Sequence, residues 1–310
     1  MEGNLKYRED IGTNVTALGV INLARDLSMV NRKNFTQTTK KGVPLVYHCR
    51  LTVQAPVSTD SNMSTVFIGK TVPQNWVYRN AAVKLHAARE KMYRKNGVSR
   101  KERGTYDSTI RYGWDVSDSS DGSVSMWQPP FEYDTAMTPV EMAEGTWDTT
   151  ELVDNAGNVH NVYLWVDDPA GDLLNEESGG AGDVALAQLY LNSRQVVLED
   201  QSDQDDTFPA KFSLIKDLFQ SQNAGADEVR DVADDQQDNP PYDRDSLTAA
   251  CTRLVTPVQA RLGSNFGDSI MTFDMDIPFG LAQFYGQIKD GSASSINWWI
   301  QVLGTSEMQG

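Results

Sequence analysis

The stretch IMTFDMDIPFGLAQFYGQIKDGSASSINWWIQVL, Ile270 to Leu303, decides the fold class. It breaks into three runs rich in β-branched and aromatic residues, Ile270–Ile277, Phe279–Ile288 and Ile296–Leu303, with Asp290-Gly291 as a turn pair between the last two. No helical spacing of apolar residues runs through it. Three strands in succession predict an antiparallel β architecture.

Working outward, Val43–Gln54 and Ser64–Gly69 read as two further strands, separated at Pro56. Thr146–Val153 and Val159–Val166 read as a hairpin turned at Asp154–Asn158. Gln188–Leu191 and Gln195–Leu198 are shorter candidates, and Phe212–Phe219 fits either a strand or a helix. Asp167–Gly182 and Ser221–Asp245 have the composition of long exposed loops. Residues 1–41 are mixed and polar, with at most an amphipathic arm around Val20–Val30.

One helix stands out. Pro73 and Asn75 supply start signals, and Val77, Ala81, Leu85, Ala88 and Met92 recur at helical spacing. Lys91, Arg94 and Lys95 fall in its last turns, where cations complement the helix dipole. Gly97 is a left-handed cap in prospect. The helix is expected over 75–96, followed by a basic loop.

Charge is uneven along the chain. The whole carries −16, but Arg79–Arg111 holds ten Lys/Arg against three acids, so the rest carries −23. Asp115–Asp245 alone has 30 Asp/Glu and 5 Lys/Arg. An acidic majority disfavours general adhesion to nucleic acid, which runs on phosphate neutralisation. The basic segment has three readings: a solvated helix, a phosphate contact with genome or lipid headgroups, or a dock for the acidic surface of a neighbouring copy. Its candidate residues are Arg89, Lys91, Arg94, Lys95, Arg100, Lys101 and Arg103.

Enzymatic chemistry finds little support. His48, His86 and His160 have no metal-ligand spacing, and no HExxH, paired CxxC, GxSxG elbow or Gly-rich phosphate loop occurs. Glu132/Asp134, Glu141/Glu144 and Asp274/Asp276 are carboxylate pairs of the kind any acidic chain contains. Asp274 and Asp276 alternate on a strand and face one side, read as a solvated face. No cofactor is expected beyond a weak structural calcium site at Asp203, Asp205 and Asp206. Cys49 and Cys251 read as two buried thiols, with a disulfide as the lesser alternative. Met1–Lys6 lacks a secretory pattern, so a mature start is expected. No run of about 20 apolar residues offers a membrane span.

Asn75-Trp76-Val77-Tyr78-Arg79-Asn80-Ala81, His86-Ala87-Ala88-Arg89, Gly97-Val98 and the closing Asp276-Ile277-Pro278-Phe279-Gly280-Leu281 resemble segments of major capsid proteins of small tailless icosahedral viruses and phages. The resemblance covers about 60 residues in two blocks. It implies a jelly roll of eight strands per barrel, in its double form a subunit that trimerises and tiles an icosahedral shell. On this basis two barrels are expected side by side, residues 1–150 with the basic helix and residues 151–310 with the long acidic loops. The resemblance implies no catalytic residues. The implied product is a virion shell protein made in the host cytoplasm. Its partners are itself as homotrimer and shell, other virion proteins, and lipid headgroups or packaged genome through the basic segment. The rivals are a β-sandwich carbohydrate-binding or adhesin module, with Trp165, Trp298 and Trp299 as ring-stacking candidates, and a hydrolase on a β scaffold.

Overall fold

The computed structural model describes residues 3–11, 16–55, 64–99, 103–104, 108–114, 124–125, 128–142, 147–153, 159–164, 184–187, 190, 254–263, 270–289 and 294–309. The protein is mainly β, with antiparallel sheets and two helices among the described residues. Eight long strands build two sheets. They are β1 (Asn4–Ile11), β2 (Thr16–Asn22), β3 (Leu45–Gln54), β4 (Ser64–Thr71), then, near the other end of the chain, β11 (Val255–Gly263), β12 (Ile270–Pro278), β13 (Leu281–Lys289) and β14 (Ser294–Glu307). Between them come six short strands: β5 (Val124–Ser125), β6 (Phe131–Tyr133), β7 (Pro139–Glu141), β8 (Glu151–Val153), β9 (Val159–Tyr163) and β10 (Val184–Ala185).

The first sheet has the order β1-β14-β3-β12 and the second β11-β4-β13-β2, all antiparallel, with β5 added in parallel beside β2. Each sheet takes strands from both ends of the chain. A division at residue 150 therefore does not coincide with the sheets, since β1 and β3 are held by β14 and β12, and β2 and β4 by β13. The described long strands form one such pair of sheets, and most of residues 151–253 lie outside the described residues. The candidates at 195–198 and 212–219 and the loops 167–182 and 221–245 lie outside the described residues.

Alternation explains the pairing of the two sheets. Leu5 and Tyr7, Leu51 and Val53, and Ile296, Trp298 and Ile300 turn inward from the first sheet onto Phe67, Phe284 and Ile288 of the second. Trp298 joins the layers. Its ring stacks on Tyr7 at 5.9 Å and meets Phe67 at 5.8 Å and Phe284 at 6.2 Å. It is 3% exposed, so it is a core residue and offers no sugar platform. Trp299 points to the other face, and Trp165 is outside the described residues.

Consecutive strands β12 and β13 lie in different sheets. The chain crosses between them at Phe279-Gly280, both with positive φ (57° and 68°). Phe279 N–H donates to Leu45 O at 2.7 Å, and Gly280 O accepts from Leu23 N–H at 2.8 Å, so the corner is tied to both layers. The first helix, α1 (Leu23–Asn31), follows β2 directly and is capped by Asn22, whose side chain accepts from Arg25 N–H. Under it sits a buried polar group. Arg25 Nε donates to Asp26 at 2.8 Å, and Tyr7 Oη donates to the other Asp26 oxygen at 2.6 Å.

The second helix, α2 (Trp76–Lys95), begins at Asn75, whose Oδ1 accepts from Tyr78 N–H at 3.1 Å, and ends before Gly97 at φ 73°. It buries Val77, Tyr78, Ala81, Ala82, Leu85, His86 and Arg89. That stripe runs one position out of phase with part of the expected one, because Ala88 is exposed and Arg89 takes the inward place. The helix packs in a second apolar cluster with Tyr112, Trp114, Val162, Leu164 and Phe279. Tyr78 and Tyr112 meet the Phe279 ring edge-on at 6.4 and 5.0 Å.

Candidate functional site

The basic segment divides into two populations. Arg89 is 3% exposed, and its guanidinium lies over the Tyr93 ring at 5.1 Å. Arg103 covers the same ring at 4.3 Å while its two terminal nitrogens bind the Glu90 carboxylate at 2.5 and 3.1 Å. This fork-to-carboxylate pair is about nine-tenths buried and fastens the following chain to α2. Both arginines are thus engaged within the molecule. Lys91, Arg94 and Lys95 are exposed on the last turns of α2 with no ion-pair partner among the described residues. Arg100 and Lys101 lie outside the described residues. Of the seven candidates, three form an open cationic face.

A second constellation lies on the outer face of the first sheet, where β3 pairs with β12. The register puts Thr52 opposite Thr272, Arg50 opposite Asp274 and His48 opposite Asp276. Arg50 Nε donates to Asp274 at 2.9 Å, and that hydrogen bond holds the Asp274 carboxyl below its ordinary value while raising Arg50. His48 Nδ1 is 2.7 Å from Asp276 Oδ1, and Nε2 is 2.8 Å from Ser306 Oγ on β14. Gln74 Nε2 donates to the other Asp276 oxygen at 3.4 Å. Beside this array opens a cleft of about 440 Å³ between β12, β11 and the 71–74 segment.

Asp276, His48 and Ser306 share the connectivity of a serine-hydrolase relay. Such a relay buries and orients its carboxylate and sets oxyanion donors beside the serine. Here the His48 and Asp276 side chains are 42% and 49% exposed. The same ladder continues through Arg50–Asp274 and Thr52–Thr272, so cross-strand pairing on a wet sheet face accounts for it. The solvated-face reading of Asp274 and Asp276 thereby gains partners that the sequence did not indicate. His48 and Asp276 are 228 positions apart, and no local signal announces their meeting.

Cys49 turns inward from β3, and its thiol faces Tyr47 O at 3.5 Å. Burial pushes this thiol well above its ordinary value, with the Asp276 charge adding to the effect. Cys251 is outside the described residues. No group of three or more His, Cys, Asp or Glu side chains is placed to hold a metal ion among the described residues. Asp203, Asp205 and Asp206 are not among them. No described helix is long and apolar enough to cross a membrane. No protein-family model, curated protein or solved structure matches the chain.

Proposed function

We propose that the chain is a jelly-roll shell subunit, the major capsid protein of a small icosahedral virus, which assembles with copies of itself. One observation carries the reading. Numbering only the eight long strands, the two sheets run 1-8-3-6 and 5-4-7-2. That order fits two Greek keys wound into facing sheets, the arrangement of the jelly rolls that recur in viral capsids, lectins and cupins, and so supports the reading. The proposal is for one barrel, with residues 72–254 inserted between its fourth and fifth strands.

Fold alone does not choose among those functions. Support for a shell comes from the surface. The array around His48 is a structural ladder, and the exposed cations of α2 sit on an otherwise acidic chain, which suits contact between unlike faces of repeated subunits. The carbohydrate-binding alternative loses Trp298 to the core. The proposal places the product in the virion, with its own copies as principal partner in trimers and the closed shell. Other virion proteins, lipid headgroups and packaged genome are secondary partners.

The test is purified wild-type protein examined by light scattering and negative-stain electron microscopy across a concentration series. Closed particles of uniform diameter, or trimers that convert to them, are the expected result. A monomer at every concentration that binds glycans on an array overturns the proposal in favour of the lectin reading.

A further inference from the structure

The outer face of the first sheet carries an aromatic ring near its centre. Trp298 turns into the core, so Trp299, the next residue of β14, turns outward. Its ring is half-buried and belongs to neither apolar cluster. The strand register puts Lys6 of β1 on one side of it and Thr52 of β3 on the other. These cross-strand neighbours stand about 5 Å away between side-chain roots. Asn297 and Gln301 flank the ring along β14, about 7 Å off in either direction. None of these residues is buried, so solvent reaches this part of the sheet.

The amides around the ring are uncommitted. Gln54, which lies opposite Asn297, and Asn297 and Gln301 themselves make no side-chain hydrogen bond among the described residues, and neither does the Trp299 indole N–H. Asn297 Oδ1 is in addition shielded from solvent, an acceptor in want of a donor. The charges nearby are already engaged. Arg50 and Asp274, one row away, pair at 2.9 Å, and Lys6 Nζ lies over the Tyr133 ring at 5.6 Å. Thr52 shares a hydrogen bond with Thr272 at 3.1 Å.

An indole offers a flat apolar face against which weakly polarised C–H groups lie. Side-chain amides supply donors and acceptors together. A phosphate or carboxylate only accepts, and would leave the amide oxygens of Gln54, Asn297 and Gln301 without a donor. An aliphatic ligand would leave both halves of each amide unpaired. A sugar ring meets every condition, with C–H groups on one face and hydroxyls on its rim that donate and accept. We propose that this face binds a neutral saccharide, one ring stacked on Trp299 and its hydroxyls held by Asn297, Gln301 and Gln54. The chain's charge of −16 repels sulfated and sialylated glycans and favours an uncharged one. The site stands apart from the shell reading. A shell whose subunits expose this face would adhere to a glycosylated surface with the avidity of many copies.

The test applies the whole chain to an array of immobilised neutral, sialylated and sulfated oligosaccharides, then titrates it calorimetrically with the neutral oligosaccharide that binds best. Neutral glycans are expected to bind, with a loss of at least about tenfold in Trp299→Ala and about threefold to tenfold in Gln301→Ala. Trp299→Tyr, which keeps a ring on the face, is expected to stay close to wild type. Urea midpoints confirm that each variant folds, and Asn297→Ala and Gln301→Ala decide the matter if Trp299→Ala does not. A wild-type chain that binds no neutral glycan, or binding that these variants leave intact, overturns the proposal. Binding confined to sialylated or sulfated glycans overturns it in favour of an anion site at Lys6. Assembly lost in Trp299→Ala, with no glycan bound by the wild type, overturns it in favour of a subunit contact. Uniform particles that bind no glycan leave the shell reading standing and sink this one, whereas a glycan-binding monomer does the reverse.

Discussion

Phe279 concentrates several constraints in one residue. It holds φ 57°, a region that bulky side chains avoid at a cost of about 1–2 kcal/mol, yet it is fully buried. Edge contacts from Tyr78 and Tyr112 and the hydrogen bond to Leu45 O offset that cost. Phe279→Ala should therefore destabilise the protein by about 3–5 kcal/mol in urea unfolding. Phe279→Gly should be less harmful than Phe279→Ala by about 1 kcal/mol, because glycine accepts the positive φ. The reverse order would show that the corner is not strained. From the sequence, Pro278-Phe279-Gly280 was legible only as a break between two strands. That the break crosses from one sheet to the other depends on Leu45 and Leu23, more than 230 positions away.

At the scale of elements, α2 was the most legible feature, because its cap, its periodicity and its terminal glycine are all local signals. Its phase was less so. Arg89 reads as a polar-face residue, but the Tyr93 ring and the buried surroundings of Tyr112 accept its stem inward, which no residue count reveals. Strand β1 went unread although Leu5 and Tyr7 alternate with Lys6 and Arg8, since one short polar-looking run carries little weight alone. The seating of α2 has its own test in two glycines. Gly97 has φ 73° and open space around it, so Gly97→Ala should cost about 1 kcal/mol for the backbone alone. At Gly42, φ is 81° and an added Cβ would stand 2.4 Å from His86 Cβ. The near atom is the root of the side chain, so the helix itself must move. Gly42→Ala should cost clearly more than Gly97→Ala, and equal urea midpoints for the two would contradict the close approach of α2 to this turn.

At the scale of the whole molecule, both sheets are stitched from the first 71 residues and the last 56, and pairing across that distance leaves no trace in local pattern. The same stitching collects three buried weak acids in the interior, and they set a pH dependence. Burial raises Tyr7 well above its ordinary 10.0, and the charge and hydrogen bond of Asp26 add to it while Arg25 opposes. Burial also raises Tyr112, with Arg89 opposing, and Cys49 above its ordinary 9.0. In each case the folded state keeps the proton longer than the unfolded chain. Their contribution is therefore complete below pH 9 and is lost as pH climbs past 9 and then 10, where unfolded chains release protons and folded ones do not. Each group adds a slope of up to about 1.4 kcal/mol per pH unit. Tyr112→Phe isolates the effect, because the Tyr112 hydroxyl is buried without a hydrogen-bond partner among the described residues and its removal costs little at neutral pH. Urea midpoints measured from pH 7 to 11 should fall along a shallower alkaline limb in Tyr112→Phe than in the wild type, with the two curves close together at pH 7. Parallel limbs would mean that Tyr112 titrates as an exposed phenol and that the second core is open to water.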